Sequence, residues 1–287
     1  MMVALKSIVL SILLMMSGSE NKDDLSLVGC TPADTGIRKT FNIRADIPVD
    51  FIRWELHLKD NKFELELDYG ESQPNTMGFK PDSIKTKLTG EYSVSKSQNY
   101  NSEIFTLHSE QLGNDLLLLK INNNIYQVLE SDLSLMTGNG GWSYTLNNIN
   151  LQMNDLTSIH FLPPGTGTNQ LIYDGRTPCQ EFSAAYKFVV PPGCFKLKWR
   201  LILNFDPITH LPTTYNFRHY DSAGKWVITK GTPKNPEAII YTLSPDNPNR
   251  SISFLRANDN ILYFLDKNLE PLVGNKDFSY TLNQIRD

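Results

Sequence analysis

The chain contains two copies of one sequence pattern. From Leu116 to Asn150, and again from Ile252 to Arg286, it aligns with itself at a constant offset and without a gap. Asn122, Asn124 and Ile125 match Asn258, Asn260 and Ile261; Leu129 and Leu133 match Leu265 and Leu269; Gly138-Asn139 matches Gly274-Asn275. Ser143-Tyr144-Thr145-Leu146-Asn147 recurs intact as Ser279-Tyr280-Thr281-Leu282-Asn283. About fourteen of roughly thirty-five positions are identical, where unrelated segments would share about two. The upstream parts pair more loosely: Gly29 and Thr31-Pro32 with Gly175 and Thr177-Pro178, Trp54 with Trp199, and Gly90-Glu91-Tyr92 with Gly224-Lys225-Trp226. A repeat of this length requires two similar folding units rather than one continuous core.

The periodicity within each copy is two. Phe63-Glu64-Leu65-Glu66-Leu67-Asp68-Tyr69 sets Phe, Leu, Leu and Tyr on one face and three carboxylates on the other, as a half-buried strand requires. Trp199, Leu201 and Leu203 alternate with Arg200, Ile202 and Asn204 in the same way. Asn122-Asn123-Asn124 and Asn258-Asp259-Asn260 sit between apolar runs and read as hairpin tips, because Asn and Asp tolerate the backbone of tight turns. No amphipathic helix of three turns follows the amino-terminal segment, and the best short candidate is Gln180 to Val189. Several antiparallel strands in about 110–120 residues must stack or close, since exposed edges invite aggregation. The expected fold is therefore all-β, with two tandem small antiparallel barrels. The inward set would comprise Trp54, Leu56, Leu58, Phe63, Leu65, Leu67, Trp142, Tyr144 and Leu146, and then Trp199, Leu201, Leu203, Trp226, Phe278, Tyr280 and Leu282. The expected organisation is a signal peptide at 1–19, a first barrel at 26–162, a linker at 163–169 rich in Pro and Gly, and a second barrel at 170–287. Each barrel is expected to fold independently.

The amino terminus reads as an export signal: Lys6 supplies a positive charge, Ile8 to Met16 form an apolar run broken only by Ser11, and Ser17, Gly18 and Ser19 are small. The run is about half the roughly 20 residues that a membrane-spanning helix needs. Met16-Ser17-Gly18 resembles the residues that precede the lipid-bearing cysteine of bacterial lipoproteins, but Ser19 stands in the cysteine's place and cannot form the thioether. Membrane contact would follow only from lipidation. The chain has a formal net charge of -4, and its Lys and Arg are scattered, so nucleic acid is not an expected partner.

Sites for chemistry are few. His57, His108, His160, His210 and His219 show no close ligand spacing, so no metal site is expected. His57 shares the outward face of its strand with Glu55 and Lys59. Glu64, Glu66 and Asp68 have the spacing of paired catalytic acids, but opposite an apolar face they read as a solvated outer face. There is no G-x-S-x-G, and Gly165-Thr166-Gly167 lacks the Gly-Lys of a phosphate loop. No catalytic residue and no cofactor is assigned.

In an oxidising compartment Cys179 and Cys194 are expected to form a disulfide, because they bracket an excursion ending in the turn Pro191-Pro192-Gly193. Cys30 would be left as a buried free thiol or an intermolecular one. The alternative is three reduced cysteines used as small apolar fillers.

Gly175-Arg176-Thr177-Pro178-Cys179, Gly224-Lys225-Trp226, Leu265-Asp266 and Phe278-Ser279-Tyr280-Thr281-Leu282 together resemble the amino-terminal domain of NlpE-type envelope lipoproteins, a family associated with copper homeostasis and surface-stress signalling in Gram-negative bacteria. The resemblance covers most of each copy and implies a lipocalin-like barrel in the periplasm or outer envelope. It also implies a non-enzymatic module acting through an envelope protein or surface. The family's Cys-Ala-Asp-Cys ahead of Gly-Ile becomes Pro32-Ala33-Asp34-Thr35-Gly36-Ile37 in the first copy, and the second keeps only Cys179, so its soft-metal site is not carried over. By analogy with lipocalins, the alternative is a carrier of a small apolar ligand, which an open barrel would favour and a filled one would not.

Overall fold

The computed structural model describes residues 24–152, 159, 161, 169–218, 220–244 and 246–285. The expected signal peptide at 1–19 and residues 163–168 of the expected linker lie outside them. The described strands form two closed eight-stranded antiparallel barrels. The first comprises β1 (Leu25–Pro32), β2 (Phe51–Lys59), β3 (Lys62–Gly70), β4 (Ile84–Ser97), β5 (Ser102–His108), β6 (Leu116–Asn122), β7 (Ile125–Leu129) and β8 (Thr145–Asn148). The second comprises β9 (Gln170–Thr177), β10 (Leu197–Phe205), β11 (Pro212–Phe217), β12 (Asp221–Lys230), β13 (Ile239–Leu243), β14 (Ile252–Asn258), β15 (Ile261–Phe264) and β16 (Thr281–Gln284). Each strand pairs with the next, and the eighth returns to the first, β8 on β1 and β16 on β9, so neither barrel keeps a free edge.

Alternation decides what faces inward. On β2 and β3, Trp54, Leu56, Leu58, Phe63, Leu65 and Leu67 are buried in the first lumen, with Glu55, His57, Glu64, Glu66 and Asp68 on the outside. Asp60 and Asn61 turn the chain between these strands at φ 50° and 61°, the left-handed backbone of a two-residue hairpin. The Asn-rich tips between β6 and β7 and between β14 and β15 work differently. Asn122 and Asn258 accept hydrogen bonds through Oδ1 from the amides of Asn124 and Asn260, at 2.8 and 2.9 Å, so the side chain closes the turn.

A short helix follows the first strand of each barrel: α1 (Thr35–Thr40) and α2 (Gln180–Tyr186). α1 was not expected from periodicity; Asp34 starts it by accepting the Ile37 amide at 3.0 Å. α2 stops at Tyr186, short of Val189, because Lys187 takes a left-handed φ of 52°. Each helix is tied to the lumen by the repeated motifs. Trp54 and Trp199 donate through Nε1 to Thr31 and Thr177, each at 2.9 Å. Tyr144 donates to the Asp34 carboxylate, and Tyr280 donates to Glu181 Oε2 at 3.0 Å while accepting the Phe182 amide at 2.9 Å. Gly29 and Gly175 are required here, since a Cβ would lie 2.9 and 2.5 Å from the Leu146 and Leu282 side chains of the closing strands.

The second lumen is filled by rings. Phe182 of α2 lies 4.8 Å from Trp199, which stacks on Phe217 at 4.9 Å, and Phe264 lies 4.8 Å from Phe254. Trp142 and Phe278 are the exceptions to the expected inward set. They occupy equivalent positions just before the closing strands and point away from the lumens, Trp142 half-buried and Phe278 buried between the barrels.

The barrels share a third apolar core. Ile104, Leu119, Ile121, Ile125 and Leu129 of the first pack with Ile240, Leu255, Ala257, Ile261, Tyr263 and Leu265 of the second. The contact is isologous about a pseudo-two-fold axis, because residues 136 apart in sequence meet one another. Ser143 Oγ lies 2.5 Å from Ser279 Oγ, Thr145 Oγ1 lies 3.0 Å from Thr281 Oγ1, and Tyr263 donates to Gln127 Oε1 at 2.9 Å. Asn147 Oδ1 accepts the Gly274 amide at 2.7 Å, and Asn283 Oδ1 reciprocally accepts the Gly138 amide at 2.8 Å. Two independent units would leave all of this surface in water.

Cys179 and Cys194 form a disulfide with Cα atoms 6.0 Å apart, joining the start of α2 to the turn that precedes β10. Cys194→Ser is expected to lower the unfolding free energy by about 3 kcal/mol, the chain-entropy value for a loop of roughly fifteen residues. Urea denaturation of the variant measures this, and an unchanged midpoint would mean that packing alone holds the loop.

Candidate functional site

The residues marked by sequence for chemistry are not brought together. Among the described residues, no three His, Cys, Asp or Glu side chains converge as a metal site requires. His57 bonds through Nδ1 to Ser26 Oγ at 2.9 Å, and exposed His108 bonds to Asp115 at 2.7 Å, a contact that raises the imidazole above its ordinary value. His160 and His219 lie outside the described residues. Glu64 and Glu66 both pair with Lys87 on the outer face of the first barrel, as a solvated face would.

Two recesses stand out. The larger, about 630 Å³, is an open groove on the outside of β2, β3 and β4, where Glu55, Glu66 and Asp68 alternate with Arg53, Lys85 and Lys87. Its charges are interleaved and largely balance. The second, about 290 Å³, lies on the seam between the barrels. The first barrel contributes Cys30, Phe51, Arg53, Trp142 and the loop from Ser72 to Gly78; the second contributes Arg176, Lys196, Lys198, Asp277 and Phe278.

This seam cleft is built on the pseudo-two-fold axis. Cys30 sits opposite Arg53 across β1 and β2, and Arg176 sits opposite Lys198 across β9 and β10, equivalent places in the two copies. One wall is a stack that crosses between barrels: Phe79 on Phe51 at 4.1 Å, Phe51 on Trp142 at 4.7 Å, and the Arg176 guanidinium over the Trp142 ring, 4.9 Å from its centroid. Arg53 bridges to the second barrel by donating to Asp277 Oδ1 at 2.8 Å. Its Nε is buried without a hydrogen-bond partner.

The electrostatics are one-sided. Four cations and a single carboxylate line the cleft, and the carboxylate, Asp277, is paired with Arg53. Arg176, Lys196 and Lys198 have no carboxylate partner among the described residues. Burial lowers the pKa of Lys196, and the charges of Arg176 and Lys198 lower it further; burial alone does the same to Arg176. Both effects penalise the charged forms and would be relieved by an anion. Cys30 forms part of the floor and donates to the Lys276 carbonyl at 3.3 Å. Burial pushes its thiol up to about 12, so it is no nucleophile at neutral pH. No histidine is among the described residues that line the cleft.

The cationic half was legible and overlooked. Lys196, Lys198 and Arg200 alternate with Leu197 and Trp199, which puts three positive charges on one outer face in five residues, although Lys and Arg are scattered along the chain at large. Arg176 completes the group only through strand pairing, twenty or more residues away in sequence. Among known proteins, the chain matches no family model, no curated protein and no solved structure.

Proposed function

We propose that the chain is a non-enzymatic, exported binding module whose contact surface is the cleft between its two barrels. The observation that carries this reading is the contrast between the lumens and the seam. The lumens are occupied by Trp54, Leu56, Leu65, Phe182, Trp199, Phe217 and Phe254, each no more than 3% exposed, whereas the seam holds an open recess with three cations that no described carboxylate pairs with. A lipocalin-like carrier would need the interior that these side chains fill. The envelope address rests on the amino-terminal pattern, the Cys179–Cys194 disulfide and the NlpE-like motifs. No described helix is long and apolar enough to cross a membrane.

A photo-crosslinking residue at Asn75, on the cleft rim, tests the reading in cells that export the chain, with exposed Glu110 as the control position. Adducts at Asn75 and none at Glu110 are expected. Adducts at Glu110 alone would move the contact surface away from the cleft.

A further inference from the structure

We infer that the seam cleft is a site for a small phosphate-bearing ligand, held by Arg176, Lys196 and Lys198. The inference rests on the reading of the cleft as the contact surface and names the chemistry that it takes. Three cations from β9, β10 and the turn before it line one recess, and no carboxylate among the described residues neutralises them. A single carboxylate would leave an excess of two positive charges, and two of the three cations, Arg176 and Lys196, are partly buried, where desolvation makes an uncompensated charge costly. A phosphate ester carries about -1.5 to -2 at neutral pH and offers three acceptor oxygens, enough for the planar fork of one Arg and the point charges of two Lys.

The shape limits the ligand further. At about 290 Å³ the recess lies at the small end of ligand sites, large enough for a phosphate group and a compact organic remainder and too small for a nucleic-acid strand. On the first barrel's side the one cation, Arg53, is neutralised by Asp277, and Phe51, Trp142, Ser72, Gln73, Asn75 and Thr76 supply aromatic and polar groups that could meet the remainder. Arg176 is held in place by its stacking on Trp142, and Lys196 lies two residues beyond the disulfide-bonded Cys194, so the cations are positioned before a ligand arrives.

Pyrophosphate and inorganic phosphate are the probes, titrated calorimetrically into the intact, oxidised chain at low ionic strength. One saturable site is expected, tighter for pyrophosphate. The K196Q/K198Q variant should bind at least tenfold more weakly, and K225Q, an equal loss of charge per site on exposed β12, should bind as the parent does. Both lysines of the double variant are at least partly solvent-exposed, and an unchanged near-ultraviolet circular dichroism spectrum confirms that it is folded. Co-sedimentation with phosphatidic acid vesicles but not phosphatidylcholine vesicles, lost in K196Q/K198Q, would assign the phosphate to a lipid headgroup. Pyrophosphate binding without vesicle binding would assign it to a soluble ester. Absence of both, or equal weakening by K225Q, would overturn the site. If adducts at Asn75 persisted in that case, the cleft would still be the contact surface and only the ligand class would fall.

Discussion

Trp199→Ala is expected to lower the stability of the second barrel by about 3–5 kcal/mol, the range for truncating a fully packed aromatic side chain. Trp199 is 3% exposed and stands at the centre of the ring cluster, 4.8 Å from Phe182, 4.9 Å from Phe217 and 5.8 Å from Phe264. The truncation opens a cavity and leaves the Thr177 hydroxyl without its donor, so two penalties fall on one site. It also removes the surface on which α2 rests. Trp199→Phe keeps most of the ring volume and loses chiefly the hydrogen bond, which should cost about 1 kcal/mol beyond any packing defect. Urea unfolding followed by circular dichroism separates the two variants. A loss below about 1 kcal/mol for the alanine variant would mean that the lumen collapses around the gap, and that the rings do not act as a close-packed unit.

Leu119→Asp should do comparable damage by another route. Leu119 points outward from its own barrel, yet it is fully buried, because it sits in the core shared with Ile240, Leu255 and Tyr263. A carboxylate there would be desolvated among the described apolar residues of this core, a change expected to cost more than about 3 kcal/mol. The first lumen does not include Leu119, so the loss should fall on the coupling between barrels. Calorimetric scans of the parent are expected to show one transition, and scans of the variant two, at lower and separated temperatures. A single, unshifted transition in Leu119→Asp would show that the seam contributes little.

These two substitutions mark how far the sequence could be read. The alternating runs around Trp54, Phe63 and Trp199 gave the strand faces, the repeat gave the duplication, and the shortage of chain per strand gave closure. Trp142 and Phe278 misled, because an aromatic residue beside a strand motif is assumed to point inward until its own strand is located; both precede the closing strands and escape the alternation. The seam had left a trace. Leu116-Leu117-Leu118-Leu119 does not alternate, as befits a strand covered on both faces, and Leu116 and Leu118 enter the lumen while Leu119 enters the seam. The gapless part of the repeat also coincides with the strands that form the seam, where a self-complementary surface has to be kept in both copies at once. The cleft was harder to find because its lining comes from seven separated stretches of chain, and only folding places Arg176 beside Lys198 and Trp142.

The pseudo-two-fold axis has a genealogical consequence. An isologous seam is the contact that two identical chains make with each other, so the molecule has the form of a homodimer whose subunits were joined end to end. Before such a fusion, every change near the axis would have appeared twice, and both sides of the cleft would have been alike. Once the halves were covalently linked, each could take a separate assignment. Cys30, Phe51 and Arg53 in one half stand where Arg176, Lys196 and Lys198 stand in the other, the first set aromatic and closed by the Asp277 ion pair, the second cationic and open. A cleft on a symmetric parent would read the same from either side, and the cleft of the fused chain has two different sides.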